Sequence, residues 1–439
     1  MNTKSYLLTI CLCAAFSLFA ACSEKENPVK DQSLGSIDAS VFVAVGSNYT
    51  AGMQSGALFE EGQMYSFPNL IATRLNTPFV QPLMPYPGTG ELRILQSLTP
   101  PTVGAKNPSQ TNPTNVQHPA PFNNLGIPLG IMADAVDESP IMDRATSRGN
   151  PFYVMVMRNQ AAFGNSLVDQ AIKLNPTIMT FWLGYNDVLA YAMSGGIRGT
   201  NRGLDGNPPG THPTEYAEFG KFVKAAFAKI KAGLPNTKVV VGNIPNPTDM
   251  PYFTTVPRKL PNSAKPDQPY SIYYRNNAGN VTTVGPTEYA LLTAQAQLAQ
   301  GIGLTPSNPL PSAFVLDEAE YSIMIGAVTA YNNLIYTEAL LQGFALVDMN
   351  KFFSDIKTTG YRIAGENYTS GFITGGVFSL DGVNLSARGN ALAANRFIEV
   401  MNQAWGANIH FVQMNNIPGI AIPGTFTKRS QFVMVPEAR

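Results

Sequence analysis

The run Val41-Phe42-Val43-Ala44-Val45 passes directly into Gly46-Ser47-Asn48-Tyr49-Thr50-Ala51-Gly52. Five apolar residues closed by glycine and small polar residues have the length and type of a core strand in an α/β sheet. In such sheets ligands sit beyond the carboxyl ends of the strands. Gly46, Ser47, Asn48 and Tyr49 therefore fall where a reactive group or ligand contact is expected. An ordinary strand-to-helix turn uses the same residue types, so this stretch alone leaves both readings open.

Similar runs recur at residues 177–183, 238–241 and 344–347, the first ending in Gly184-Tyr185-Asn186-Asp187. Between them lie helical patterns. Ser66 is placed to cap a helix reaching Asn76, and residues 166–174 form a shorter one. Phe219, Phe222, Val223, Ala226, Phe227 and Ile230 mark one helix face, closed by Gly233 and Pro235. Further helices are expected at 287–300, at 317–342 before Gly343, and from Ser386 to about Asn402. Residues 123–128 read as a turn. This alternation predicts a doubly wound parallel α/β sheet in one domain, residues 37–405, with insertions at about 77–122 and 251–286. The aromatics of the second insertion, among them Tyr252, Phe253 and Tyr274, suit local mini-cores better than ligand stacking. The 38 Gly and 34 Pro residues, concentrated between the periodic segments, indicate long ordered loops. The segment 406–439 is expected to pack back on the domain.

Charge narrows the function. Only 13% of residues are charged, 29 basic against 29 acidic, so no basic excess exists to neutralise a nucleic-acid backbone. Paired histidines at ligand spacing are missing, and Asp187, Asp249, Asp348 and Asp381 sit on separate loops, so neither a metal centre nor another cofactor is expected.

Residues 1–21 carry a basic start at Lys4, an apolar run and small residues before Cys22, the pattern of a targeting segment. The three cysteines, Cys11, Cys13 and Cys22, all lie there, which leaves the remainder without a thiol. This segment resembles a bacterial lipoprotein signal peptide with its lipobox ending at Cys22, although Phe19 stands where Leu is usual. The resemblance implies a lipid on Cys22, a tether over 22–36 and a membrane-anchored protein of the cell envelope, at the outer membrane.

The ordered blocks over about residues 41–402 resemble the SGNH or GDSL esterase and lipase superfamily in its envelope-lipoprotein form. The resemblance implies a flavodoxin-like, three-layer α/β/α fold. In that family a Gly-Asp-Ser turn delivers the nucleophile, a later Gly and the Asn of a Gly-x-Asn-Asp turn form the oxyanion hole, and an Asp-x-x-His block supplies acid and base. Carried over, Gly126 matches the oxyanion Gly, Asn186 the oxyanion Asn and Asp381 the triad Asp. Two positions depart from the pattern. Asn48 stands at the nucleophile position, with Ser47 at the family's Asp, and Asn384 stands at the base position.

An amide offers no nucleophilic oxygen and no titration near neutral pH. Ser47 would still need a base within hydrogen-bond reach, and of His118, His212 and His410 only His118 precedes Gly126 closely enough to be considered. The expectation is a catalytically degenerate centre that binds a neutral ligand through Gly126, Asn186, Asn48 and Asn384: a glycan, an acylated sugar or a lipid. The alternatives are a working esterase using Ser47, and an accessory subunit of an outer-membrane transport complex.

Overall fold

The computed structural model of the chain describes residues 34–98, 101–196, 213–363 and 365–419. Cys22, the leader, most of the tether, His212 and residues 420–439 lie outside the described residues.

Strands β1 (Phe42–Gly46), β2 (Asn124–Gly126), β3 (Ile178–Trp182), β4 (Lys238–Gly242) and β5 (Ala345–Val347) form one all-parallel sheet in the order β2-β1-β3-β4-β5. This is a doubly wound order, and its direction reverses between β1 and β3. Every residue of β1 and β3 is buried, as their unbroken apolar character requires of strands covered on both faces.

The principal helices are α1 (Asn48–Ala51), α2 (Phe67–Leu75), α3 (Leu167–Lys173), α4 (Asn186–Met193), α5 (Tyr216–Gly233), α6 (Glu318–Gln342), α7 (Met349–Thr358) and α8 (Ala387–Trp405). Adjacent residues of β3 show the two layers. Trp182 packs against Phe67 of α2 and Phe397 of α8, while Phe181 meets Phe227 of α5 edge-on. On α5, Phe219, Val223, Phe227 and Ile230 are fully buried, each contributing about 1.5–3 kcal/mol by leaving water. Asp317 and Ser386 cap α6 and α8 through their side chains, and Gly343 closes α6 in the left-handed conformation.

Three expectations change. Residues 124–126 are a strand rather than part of a turn. Side chains here satisfy neighbouring backbone, Asn123 just before the strand bonding Val80 and Phe42 and Asn124 within it bonding Thr50, while the main chain pairs with β1. Residues 287–300 hold only the short helix Ala294–Ala299, because Tyr289–Ala290 is taken into a pairing with Val315–Leu316. Ser66 precedes α2 but makes no capping bond.

The first insertion contains an antiparallel hairpin, Arg93–Leu98 with Pro101–Ala105. The second extends past Pro286 to Leu316 around its own cluster, which includes Val256, Ile272, Tyr274, Val284 and Leu310. Beyond α8, Ile409, Val412, Met414 and Ile417 pack into the main core.

Candidate functional site

Both chain segments that flank the reversal in strand order emerge at one place. Asn48 follows β1, and Asn186 follows β3 at the start of α4. Gly46 pairs with Gly126 on one side and Trp182 on the other. A Cβ on Gly126 would lie 2.3 Å from Ala51 N, so only glycine lets β2 lie against α1.

Asn48 is 4% exposed, and its Oδ1 accepts two hydrogen bonds, from Leu129 N at 2.7 Å and from Asn186 Nδ2 at 3.2 Å. Asn186 Nδ2 also donates to Gly130 O at 2.9 Å. Gly126 sits behind this centre. Its N–H goes to Asn124 Oδ1 at 3.0 Å, so the backbone donor that reaches Asn48 is that of Leu129, three residues on. Leu129 holds φ at 62°, a strained value for a branched side chain.

The loop carrying Leu129 is fixed from behind. Asn150 Nδ2 donates to Pro128 O at 2.9 Å, Ile131 N to Asp134 Oδ2 at 2.8 Å and Met132 N to Asp187 Oδ2 at 2.8 Å. Asp134 is in turn enclosed by Arg144, Arg148 and Tyr153, all buried. Burial and then the Asp134 charge push the Tyr153 phenol well up, which keeps it a donor to that carboxylate.

On the other wall, residues 379–384 are organised by Asp381. Its Oδ1 accepts from Val383 N at 2.9 Å, Asn384 N at 2.7 Å and Ser379 Oγ at 3.2 Å, and its Oδ2 from Gly56 N and Asn384 Nδ2, both at 2.7 Å. Asn384 is therefore bonded to this carboxylate twice, through its backbone N–H and through its side-chain amide.

Asn48, Asn186, Asp381 and Asn384 all line one cavity of about 1020 Å³. Most of its wall is apolar: Met53, Leu129, Leu189, Met193, Leu292, Phe372, Ile373 and Val383. The second insertion supplies Tyr252, Leu292 and Ala296, and the hairpin supplies Arg93, Thr102 and Val103.

Ser47 is fully buried beside the Tyr185 hydroxyl and does not line this cavity. Tyr185 Oη accepts from Tyr49 N at 3.1 Å, and burial holds its phenol well above the ordinary value. His118 stacks on Phe122 with ring centroids 5.5 Å apart and is also absent from the cavity wall. Burial and then the Arg158 charge lower its pKa. His410 is exposed.

Fold and site define a doubly wound parallel α/β protein whose switch point opens onto an apolar cavity with an asparagine-rich polar end. No family model and no curated protein matches the chain. Among solved structures it is similar to an extracellular lipase from Streptomyces rimosus (13% identity, 83% of this chain and 100% of that one, TM-score 0.36). It is also similar to phospholipase A1 from Streptomyces albidoflavus (12% identity, 84% and 100%, TM-score 0.34) and to a family 3 carbohydrate esterase from Clostridium thermocellum (12% identity, 83% and 96%, TM-score 0.33).

Proposed function

We propose that this protein binds a neutral ligand in the switch-point cavity and does not hydrolyse esters there. One observation carries the reading. The atom at the nucleophile position is an amide oxygen held by Leu129 and Asn186, and the group on Asp381 is an amide as well. Neither can attack a carbonyl or shuttle a proton near neutral pH. The predominance of aliphatic wall residues supports a ligand with an acyl portion, an acylated sugar or a lipid, over a bare glycan, since among the described lining residues the aromatic ones are Tyr252 and Phe372.

A lipid on Cys22 would hold the protein at the outer membrane, as the sequence of its leader suggests. The exposed Tyr336, Leu340 and Leu341, within two turns at the carboxyl end of α6, support an additional protein partner there. Pull-down of the tagged protein from solubilised outer membranes tests that association.

Purified protein given short nitrophenyl esters tests the central reading. Turnover no faster than buffer is expected. Hydrolysis that disappears in Ser47→Ala would establish the esterase instead.

A further inference from the structure

Two donors converge on one oxygen at the polar end of the cavity, and that oxygen belongs to the protein's own Asn48. The donors do not depend on Asn48 for their placement. Asn186 is anchored by its second N–H on Gly130 O, and the Leu129 loop is held by Asn150, Asp134 and Asp187.

We infer that Asn48 is an intramolecular ligand: its amide oxygen fills a two-donor subsite for a carbonyl or carboxylate oxygen and so keeps a ligand's carbonyl or carboxylate oxygen out of that one subsite, leaving an acyl chain to the apolar wall. This rests on the preceding reading only in taking the cavity as the place where ligand binds. The physical reason is an exchange. An entering oxygen must displace Asn48 Oδ1, so two hydrogen bonds are broken for the two that form, and the displaced carbonyl is left to find a partner. With the Asn48 side chain removed, the same oxygen gains both bonds, and a carboxylate gains most because its bonds are charge-assisted.

Calorimetric titration of the full chain with octanoate and with octanol, probes of equal length, reads this directly. Wild type is expected to bind octanoate no tighter than octanol. Asn48→Gly is expected to bind octanoate about tenfold tighter than wild type, with octanol moving less than about threefold. Adding Asn186→Leu should remove most of the gain, a coupling that a mere enlargement of the cavity would not show. If a thermal melt shows Asn48→Gly unfolded, Asn48→Ser, which keeps a short side chain at the same place, is read instead. A folded variant without the gain overturns the inference, as does a wild type that already prefers octanoate tenfold. A wild type that binds neither probe, with the gain retained in the variant, contradicts the proposed binding function and upholds the inference.

Discussion

The phenolic oxygen of Tyr49 donates to the carbonyl of Val383 at 3.2 Å, joining the residue after Asn48 to the residue before Asn384 across 334 positions of chain. Tyr49 is 1% exposed and stacks on Tyr185 with ring centroids 4.5 Å apart, so packing as well as the hydrogen bond holds its ring. Tyr49→Phe keeps the stack and loses the bond. It should destabilise the fold by about 1–2 kcal/mol, read as a lower urea midpoint at unchanged slope.

Gly126→Ala tests the contact beneath the site. Its Cβ would fall 2.3 Å from Ala51 N and 2.8 Å from Ala51 Cα, both backbone atoms that cannot rotate away. A loss of at least about 3 kcal/mol is expected, and a melting temperature near that of wild type would show that α1 does not lie against β2 as described.

Asp381→Asn removes the charge on which five donors converge. Three of those donors are backbone N–H groups, and an Asn there can accept through only one oxygen. A cost of about 2–3 kcal/mol is expected, with faster amide exchange at Val383 and Asn384 than in wild type. A structural anchor behaves in this way whether or not any chemistry occurs beside it.

Glu320 gives a pH dependence. Burial, opposed by the hydrogen bond from Asp317 N and reinforced by the Asp317 charge, pushes its carboxyl from 4.5 to about 7. The folded protein therefore binds this proton more tightly than the unfolded chain. The contribution to stability is full below about pH 4.5, declines as pH rises toward 7 and is lost above it. Asn277 Nδ2 and Asp317 N donate to Glu320, so Glu320→Gln shifts absolute stability too. The diagnostic readout is slope: melting temperature against pH should fall less steeply between 4.5 and 7 in Glu320→Gln than in wild type.

The sheet and the meeting of Asn48 with Asn186 were legible because both depend on patterns that sequence displays: buried strands of fixed length, and the rule that their carboxyl ends face a common crevice. Asp381 and Asn384 were legible only through their resemblance to a known block. The part played by Leu129 left no trace in the sequence, since what it contributes is a backbone N–H delivered by a strained φ, and leucine is not a residue that announces φ above zero. β2 is hidden by Asn123, Asn124 and Gly126, residues with a turn preference; the side chains of the two asparagines bond neighbouring backbone instead. The enclosure of Asp134 by Arg144, Arg148 and Tyr153 brings together residues up to 19 positions apart on the short helices Ile141–Arg148 and Phe152–Val156, whose buried positions include arginines and so do not read as an apolar face.

We propose that ester hydrolysis is lost at two side chains, Asn48 and Asn384, while the donors and the carboxylate around them are kept. The most direct measurement is nitrophenyl acetate hydrolysis by Asn48→Ser/Asn384→His beside wild type and the two single variants. Asn48→Ser returns a hydroxyl and vacates the Leu129 and Asn186 donors, and Asn384→His places a base against Asp381. No turnover is expected from wild type, and turnover by the double variant about 10² above that of Asn48→Ser alone. A double variant that folds and is no more active than either single one, or a wild type whose turnover is lost in Ser47→Ala, would contradict it.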